Sequence, residues 1–203
     1  MNLDEQVRFE EVFGVVATPD QFEGFARIKD RAMRGASEAP LKQTAYILAT
    51  SYWESARTFL PVREGLATTD QAARDYVCKL YAEEKIRINY SEPAQNGQSF
   101  YGRGYVQLTW EKNYRAIGDH LVGDPDLFYH DPDLVLRPDL AAIIMVRGMV
   151  DGIFTEHRLN DHINRDKCDY IHARQTVNRM DRAERIADWA EKMEYVVSGL
   201  RMV

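Results

Sequence analysis

Ser99-Phe-Tyr-Gly-Arg-Gly-Tyr-Val-Gln-Leu-Thr-Trp-Glu-Lys-Asn-Tyr114 gathers two glycines, several aromatics and several uncharged hydrogen-bonding side chains into one short stretch. Sugars present flat apolar faces and hydroxyl edges. A cleft that holds them needs aromatic platforms, here Tyr101, Tyr105, Trp110 and Tyr114, beside amides and hydroxyls such as Gln107, Thr109 and Asn113. Gly102 and Gly104 allow close backbone approach or positive φ around Arg103. The residues taken alone also permit a plainer structure, a surface hairpin or loop whose aromatics cap a core and whose glycines turn the chain.

Outward from this block the chain is ordinary. Its 203 residues suffice for one domain, or one domain with two lobes, and for a substantial core. The composition, 45% hydrophobic and 29% charged, is that of a folded protein, and no apolar run approaches the roughly 20 residues of a membrane span. A net charge of −6 and a pI near 5.4 argue against nucleic acid as a partner and against general attraction to anionic envelopes. Neutral sugar polymers remain compatible. The opening Met-Asn-Leu-Asp-Glu-Gln carries acids where a secretory signal carries bases, which predicts synthesis in the cytoplasm without a signal peptide. Cys78 and Cys168 lack metal-ligand spacing, as do the five histidines. The cysteines read as reduced core thiols, the histidines as surface or core residues, and no metal or other cofactor is expected.

Periodicity predicts a mainly α chain. One or two helices fill the first forty residues, with a turn at Thr18-Pro19-Asp20. Pro40 opens a helix reaching about Trp53, with Ala45, Leu48, Ala49 and Tyr52 as its buried stripe. Glu54 then falls at the C-terminal end, where the helix dipole and burial beside Trp53 both disfavour ionisation and suit a proton donor. A further helix is expected from Asp70 to Lys85 with Ala73, Val77, Leu80 and Tyr81 on one side, then a polar loop from Asn89 to Gln98. Prolines and aspartates over 123–139 predict turns, Pro138 opens a core helix, and Asp181 with Glu184 predicts a near capping box for the last helix through Ile186, Ala187, Ala190, Met193 and Val197. Any sheet should be small and lie around residues 99–110.

The 99–114 block resembles the Tyr-Gly-Arg-Gly-x-x-Gln-Leu-Thr/Ser signature of family 19 chitinases and of the chitinase-like lysozymes carried as phage endolysins. The resemblance implies one lysozyme-like, two-lobed α-helical catalytic domain over 1–203, with at most a small β element beside the cleft. It also implies a glycoside hydrolase with two carboxyl groups, inverting, without metal or covalent intermediate. The family carries its acid in an Ala-x-x-x-His-Glu-Thr/Ser pattern, matched by Ala49-Thr-Ser-Tyr-Trp-Glu54-Ser except that Trp53 replaces His. Glu54 is therefore assigned as general acid. Pro61-Val-Arg-Glu64-Gly fits the Pro-x-x-Glu stretch of the shorter relatives, which makes Glu64 the base and leaves Glu83 and Glu84 in reserve for the longer plant-type spacing. Thr109 corresponds to the hydroxyl that holds the attacking water, and Tyr101, Gln107 and Asn113 to sugar-subsite residues. Arg103 is a further substrate contact or else structural, donating to loop carbonyls or pairing with a catalytic carboxylate. Ala173-Arg-Gln-Thr-Val-Asn178 resembles the family's Ile-Asn-Gly segment, with Arg179 in place of glycine; Asn178 is a substrate contact or a helix-entry cap.

The polymer implied is β-1,4-linked N-acetylhexosamine, and the lack of plant-type insertions and of a signal favours peptidoglycan, with chitin as the alternative. An endolysin of this kind would act as a monomer on the host wall after release. A different class is a lysozyme-like protein that binds sugar or protein without cleaving, a reading kept open by Trp53 and Arg179 and opposed by the joint presence of Glu54, Glu64 and Thr109.

Overall fold

The computed structural model describes residues 2–36 and 39–200. Helices dominate them: α1 (Leu3–Phe13), α2 (Pro19–Gly35), α3 (Pro40–Glu54), α4 (Asp70–Ala82), α5 (Glu111–Val122), α6 (Leu127–His130), α7 (Pro138–Asp151) and α8 (Ala183–Ser198). The sheet they accompany is one antiparallel pair, β1 (Val62–Arg63) with β2 (Arg103–Gly104), in which Val62 faces Gly104 and Arg63 faces Arg103. The fold is mainly α with a small β element, and the strand that pairs with the 99–110 region comes from outside it. No helix among the described residues is long and apolar enough to cross a membrane. The chain forms two compact units, one of residues 1–60 with 145–203 and one of residues 61–144.

In the first unit, local chemistry fixes the helix starts. Asn2 accepts from the Glu5 amide while Glu5 accepts from the Asn2 amide, and Thr18 and Gln21 repeat the arrangement at α2 with Pro19 in the first turn. α3 departs from the expected stripe: every residue from Gln43 to Tyr52 is buried. Its remaining face is built of Thr44, Thr50 and Ser51, small enough to be enclosed, so α3 is a central rather than an amphipathic helix. Aromatic rings fill the space around it. Tyr52 stacks on Phe59 with centroids 4.9 Å apart and meets Trp189 of α8 at 5.0 Å. Gly24 is obligatory here, because a Cβ would stand 1.9 Å from the Phe59 carbonyl oxygen. α8 begins at Ala183, and Asp181 is not its cap. Arg182 precedes the helix at φ 59° without a side-chain cap. The Asp181 carbonyl instead accepts from Arg174 Nε at 3.0 Å, so a buried arginine sets this turn. Val196 rather than Val197 points inward.

In the second unit, α4 ends at Ala82 because Glu84 turns left-handed at φ 56°. Ala73 and Val77 pack against Tyr101, while Tyr81 is exposed, so only the first two turns face the core. The 123–139 segment is more regular than its prolines suggest, holding α6 and a 3-10 turn over Pro132–Leu136. Both cysteines are free and exposed, not core thiols; Cys78 lies on the open side of α4 beside Ser91.

Candidate active site

Glu54 is the last residue of α3 in the first unit. Its side chain keeps 15% of its surface exposed, and its Oε1 accepts from Nη1 of Arg174 at 2.7 Å. Arg174 is 1% exposed and is held by the Asp181 carbonyl as well. Burial pushes the Glu54 carboxyl above the ordinary glutamate value of 4.5, against the opposing pull of the Arg174 guanidinium, and the negative Asp181 adds to the rise. A carboxyl that is reluctant to ionise, partly open to solvent and fixed by one rigid donor can deliver a proton. Tyr46, fully buried, has its phenol driven well above the tyrosine range by burial, against the pull of Arg174, so it stays neutral. Asn178 is exposed, accepts from the Arg179 amide and lies before the α8 entry without capping it.

Glu64 belongs to the second unit and follows β1 directly, so the β1–β2 pairing carries it to the glycine pair. The Glu64 amide donates to the Gly102 carbonyl at 2.8 Å, and the Gly102 amide donates back to Glu64 Oε2 at 2.8 Å. Tyr90 completes the hold by donating from its hydroxyl to Glu64 Oε1 at 2.6 Å. Burial first, and the neighbouring carboxylate second, push the Tyr90 phenol far up, so it remains a donor. Gln107 and Thr109 converge on the same spot. A Cβ on Gly102 would stand 2.9 Å from Gln107 Oε1, 3.1 Å from Glu64 Oε2 and 3.3 Å from Thr109 Oγ1. Gly102 is thus the floor on which carboxylate, amide and hydroxyl oxygens meet. The Gln107 amide nitrogen is spent on the Val62 and Gly104 carbonyls, which aims its Oε1 at this floor. Thr109 donates to the Gln107 carbonyl at 2.9 Å and its own carbonyl accepts from Asn113 Nδ2 at 2.8 Å.

The aromatic platforms expected from the sequence are mostly internal. Tyr101, Tyr105 and Tyr114 are at most 1% exposed and present no face to a sugar. Tyr101 donates its hydroxyl to Asp70 at 2.8 Å and lies under the Arg103 guanidinium at 3.6 Å, which makes it a packing residue. Trp110 is the exception: it is 39% exposed, sits at φ 75° and tilts against Tyr90 at 5.1 Å, so these two rings form the aromatic surface beside Glu64. Arg103 is buried and is not a substrate contact. It donates to the Ser99 carbonyl and the Tyr114 hydroxyl and pairs with Asp70 and Asp133, tying the block together. Glu83 and Glu84 end α4 on the surface, Glu83 bound to Lys85 at 2.7 Å, and neither joins the network at Gly102. Arg174, Tyr90, Asp70 and Asp133 were not singled out from the sequence. Only Arg174 had a signal there, as the charged residue inside the quoted 173–178 segment.

The profile of the chitinase class I family, glycoside hydrolase family 19, matches residues 10–146. Among curated relatives, one endochitinase of Arabidopsis thaliana is 35% identical over 103 residues, covering 48% of this chain and 36% of its own length. A second from the same plant is 32% identical over 133 residues, covering 63% of this chain and 45% of its own. The chain thus spans less than half the length of these relatives. In fold, chitinase C from Streptomyces griseus superposes with a TM-score of 0.56 at 16% identity, covering 99% of this chain and 79% of that one. With well over half of its residues matched by the family profile, the chain belongs to glycoside hydrolase family 19, chitinase class I.

Proposed function

We propose that the protein is a glycoside hydrolase that cleaves the β-1,4 bonds of chitin by a single displacement. The observation that carries the proposal is the grouping at Gly102, where Glu64 Oε2, Gln107 Oε1 and Thr109 Oγ1 converge within 3.3 Å of the place a Cβ would take. A water accepted there finds a carboxylate for its proton and a hydroxyl and amide oxygen to orient it. Glu64 removes that proton as water attacks the anomeric carbon, and Glu54, whose ionisation burial disfavours, gives a proton to the departing glycosidic oxygen. Arg174 steadies Glu54, Tyr90 steadies Glu64, and Trp110 with Tyr90 offers the sugar face.

Chitin is placed before peptidoglycan because the family and the reported relatives are chitinases. Reducing-end release from purified chitin oligosaccharides and from purified peptidoglycan tests the reading. Faster release from chitin is expected. Release from peptidoglycan alone would reverse the substrate order, and binding without release from either would make the protein a non-catalytic sugar-binding member.

A further inference from the structure

A pocket of about 360 Å³ opens in the first unit, between the end of α1, the segment after α3 and α8. Its surface is aromatic at Phe13 and at the exposed edges of Tyr52 and Trp189, with the buried Phe9 and Phe59 behind them, and the exposed Val15 and Val16 stand at its edge. Its polar lining is mostly cationic. Arg57, Arg185 and Lys192 all face it, and while Lys192 pairs with Asp188, neither Arg57 nor Arg185 has a carboxylate partner among the described residues. Arg57 lies instead over the Trp189 ring at 5.4 Å. In a chain of net charge −6, two unpaired guanidiniums beside an aromatic hollow are a local inversion of sign.

The backbone is strained to make this arrangement. Ala56, Arg57 and Phe59 all have positive φ, at 51°, 68° and 53°, within one short turn without a glycine. Such conformations persist only where surrounding packing holds them, and they concentrate at ligand clamps. Here the turn sends Phe59 inward, behind Tyr52, and Arg57 outward to the mouth.

From the aromatic surface, the unpaired guanidiniums and the strained turn that presents them, we infer that this pocket is a second binding site, for a small amphipathic carboxylate with an aromatic body. The ring packs on Phe13 and on the exposed edges of Tyr52 and Trp189, and the carboxylate takes the guanidinium donors of Arg57 and Arg185. The volume lies at the lower end of ligand pockets, which suits one ring with a short acidic arm rather than a polymer. The site is independent of the hydrolytic reading, since none of these side chains is assigned a role in it.

Isothermal titration of the full chain with 4-phenylbutyrate, and with its neutral amide of the same shape, tests the inference. The carboxylate is expected to bind at least about tenfold more tightly than the amide, the margin of one charge-assisted contact. The Arg57→Gln/Arg185→Gln double variant should erase that margin while the thermal midpoint shows it folded. Absence of binding to the unmodified protein at millimolar ligand would overturn the proposal, as would equal affinity for acid and amide. Both readings come from the unmodified chain and stand even if the double variant fails to fold. Persistence of the margin in a folded double variant would equally refute the assigned contacts.

Discussion

Arg174 Nη1 donates to Glu54 Oε1 at 2.7 Å, joining residues 120 apart in sequence. The guanidinium lowers the carboxyl pKa that burial raises, so it limits how far the acid's pKa rises. As the proposed acid, Glu54 must be protonated to act. Replacing Arg174 with glutamine removes the lowering influence, and the alkaline limb of the kcat/KM profile should move to higher pH. A pH–rate series on the wild type and Arg174→Gln decides this, and a limb that stays in place or moves down would show that the pair does not tune the acid.

The same shift has a stability consequence. A carboxyl whose folded pKa lies above its unfolded value binds its proton more tightly when folded. Its stabilising contribution is full below the ordinary value of 4.5 and is lost as pH rises through the folded value. Glu54→Gln should flatten the decline of stability with pH above 4.5. Urea midpoints across that window, for both proteins, measure the difference.

Gly102→Ala is expected to cost activity far more than stability. The new methyl would press on Glu64 Oε2, Gln107 Oε1 and Thr109 Oγ1, all side-chain atoms able to shift by tenths of an ångström. Displacing base and water-holder together should lower kcat about 10²-fold, the scale of a misplaced catalytic group. A near-native turnover in the folded variant would detach Glu64 from the chemistry.

Arg103 should behave in the opposite way. Arg103→Ala would take one donor from the Ser99 carbonyl, the Tyr114 hydroxyl and the half-exposed carboxylates of Asp70 and Asp133, at a cost of about 1–3 kcal/mol set by the buried acceptors. Arg103→Lys should recover only part, because an ammonium cannot reproduce the planar fork over the Tyr101 ring. Denaturant titration reads both values.

The sequence carried the helices whose signals are local. Thr18-Pro19, Pro40 and Pro138 mark starts by chemistry that acts within one turn, and α2, α3 and α7 begin where they predict. Glu54 at the end of α3 follows from the same reasoning. What was misread depends on long-range packing. Tyr101, Tyr105 and Tyr114 have the composition of sugar platforms but are buried, Tyr101 and Tyr114 closing over Arg103, since an arginine needs several partners when buried. Asp181 has the spacing of a cap but gives its carbonyl to Arg174. Tyr90 lies in a polar loop whose sequence says nothing of its bond to Glu64.

The central claim, that Glu54 and Glu64 act as acid and base on one β-1,4 bond, is tested most directly by proton NMR of chitin hexasaccharide during the first moments of hydrolysis. Single displacement inverts the anomeric carbon, so the wild type should release the α anomer first, and Glu54→Gln and Glu64→Gln should each slow that release by about 10²–10⁴. First release of the β anomer, or undiminished release by either folded variant, would contradict the account.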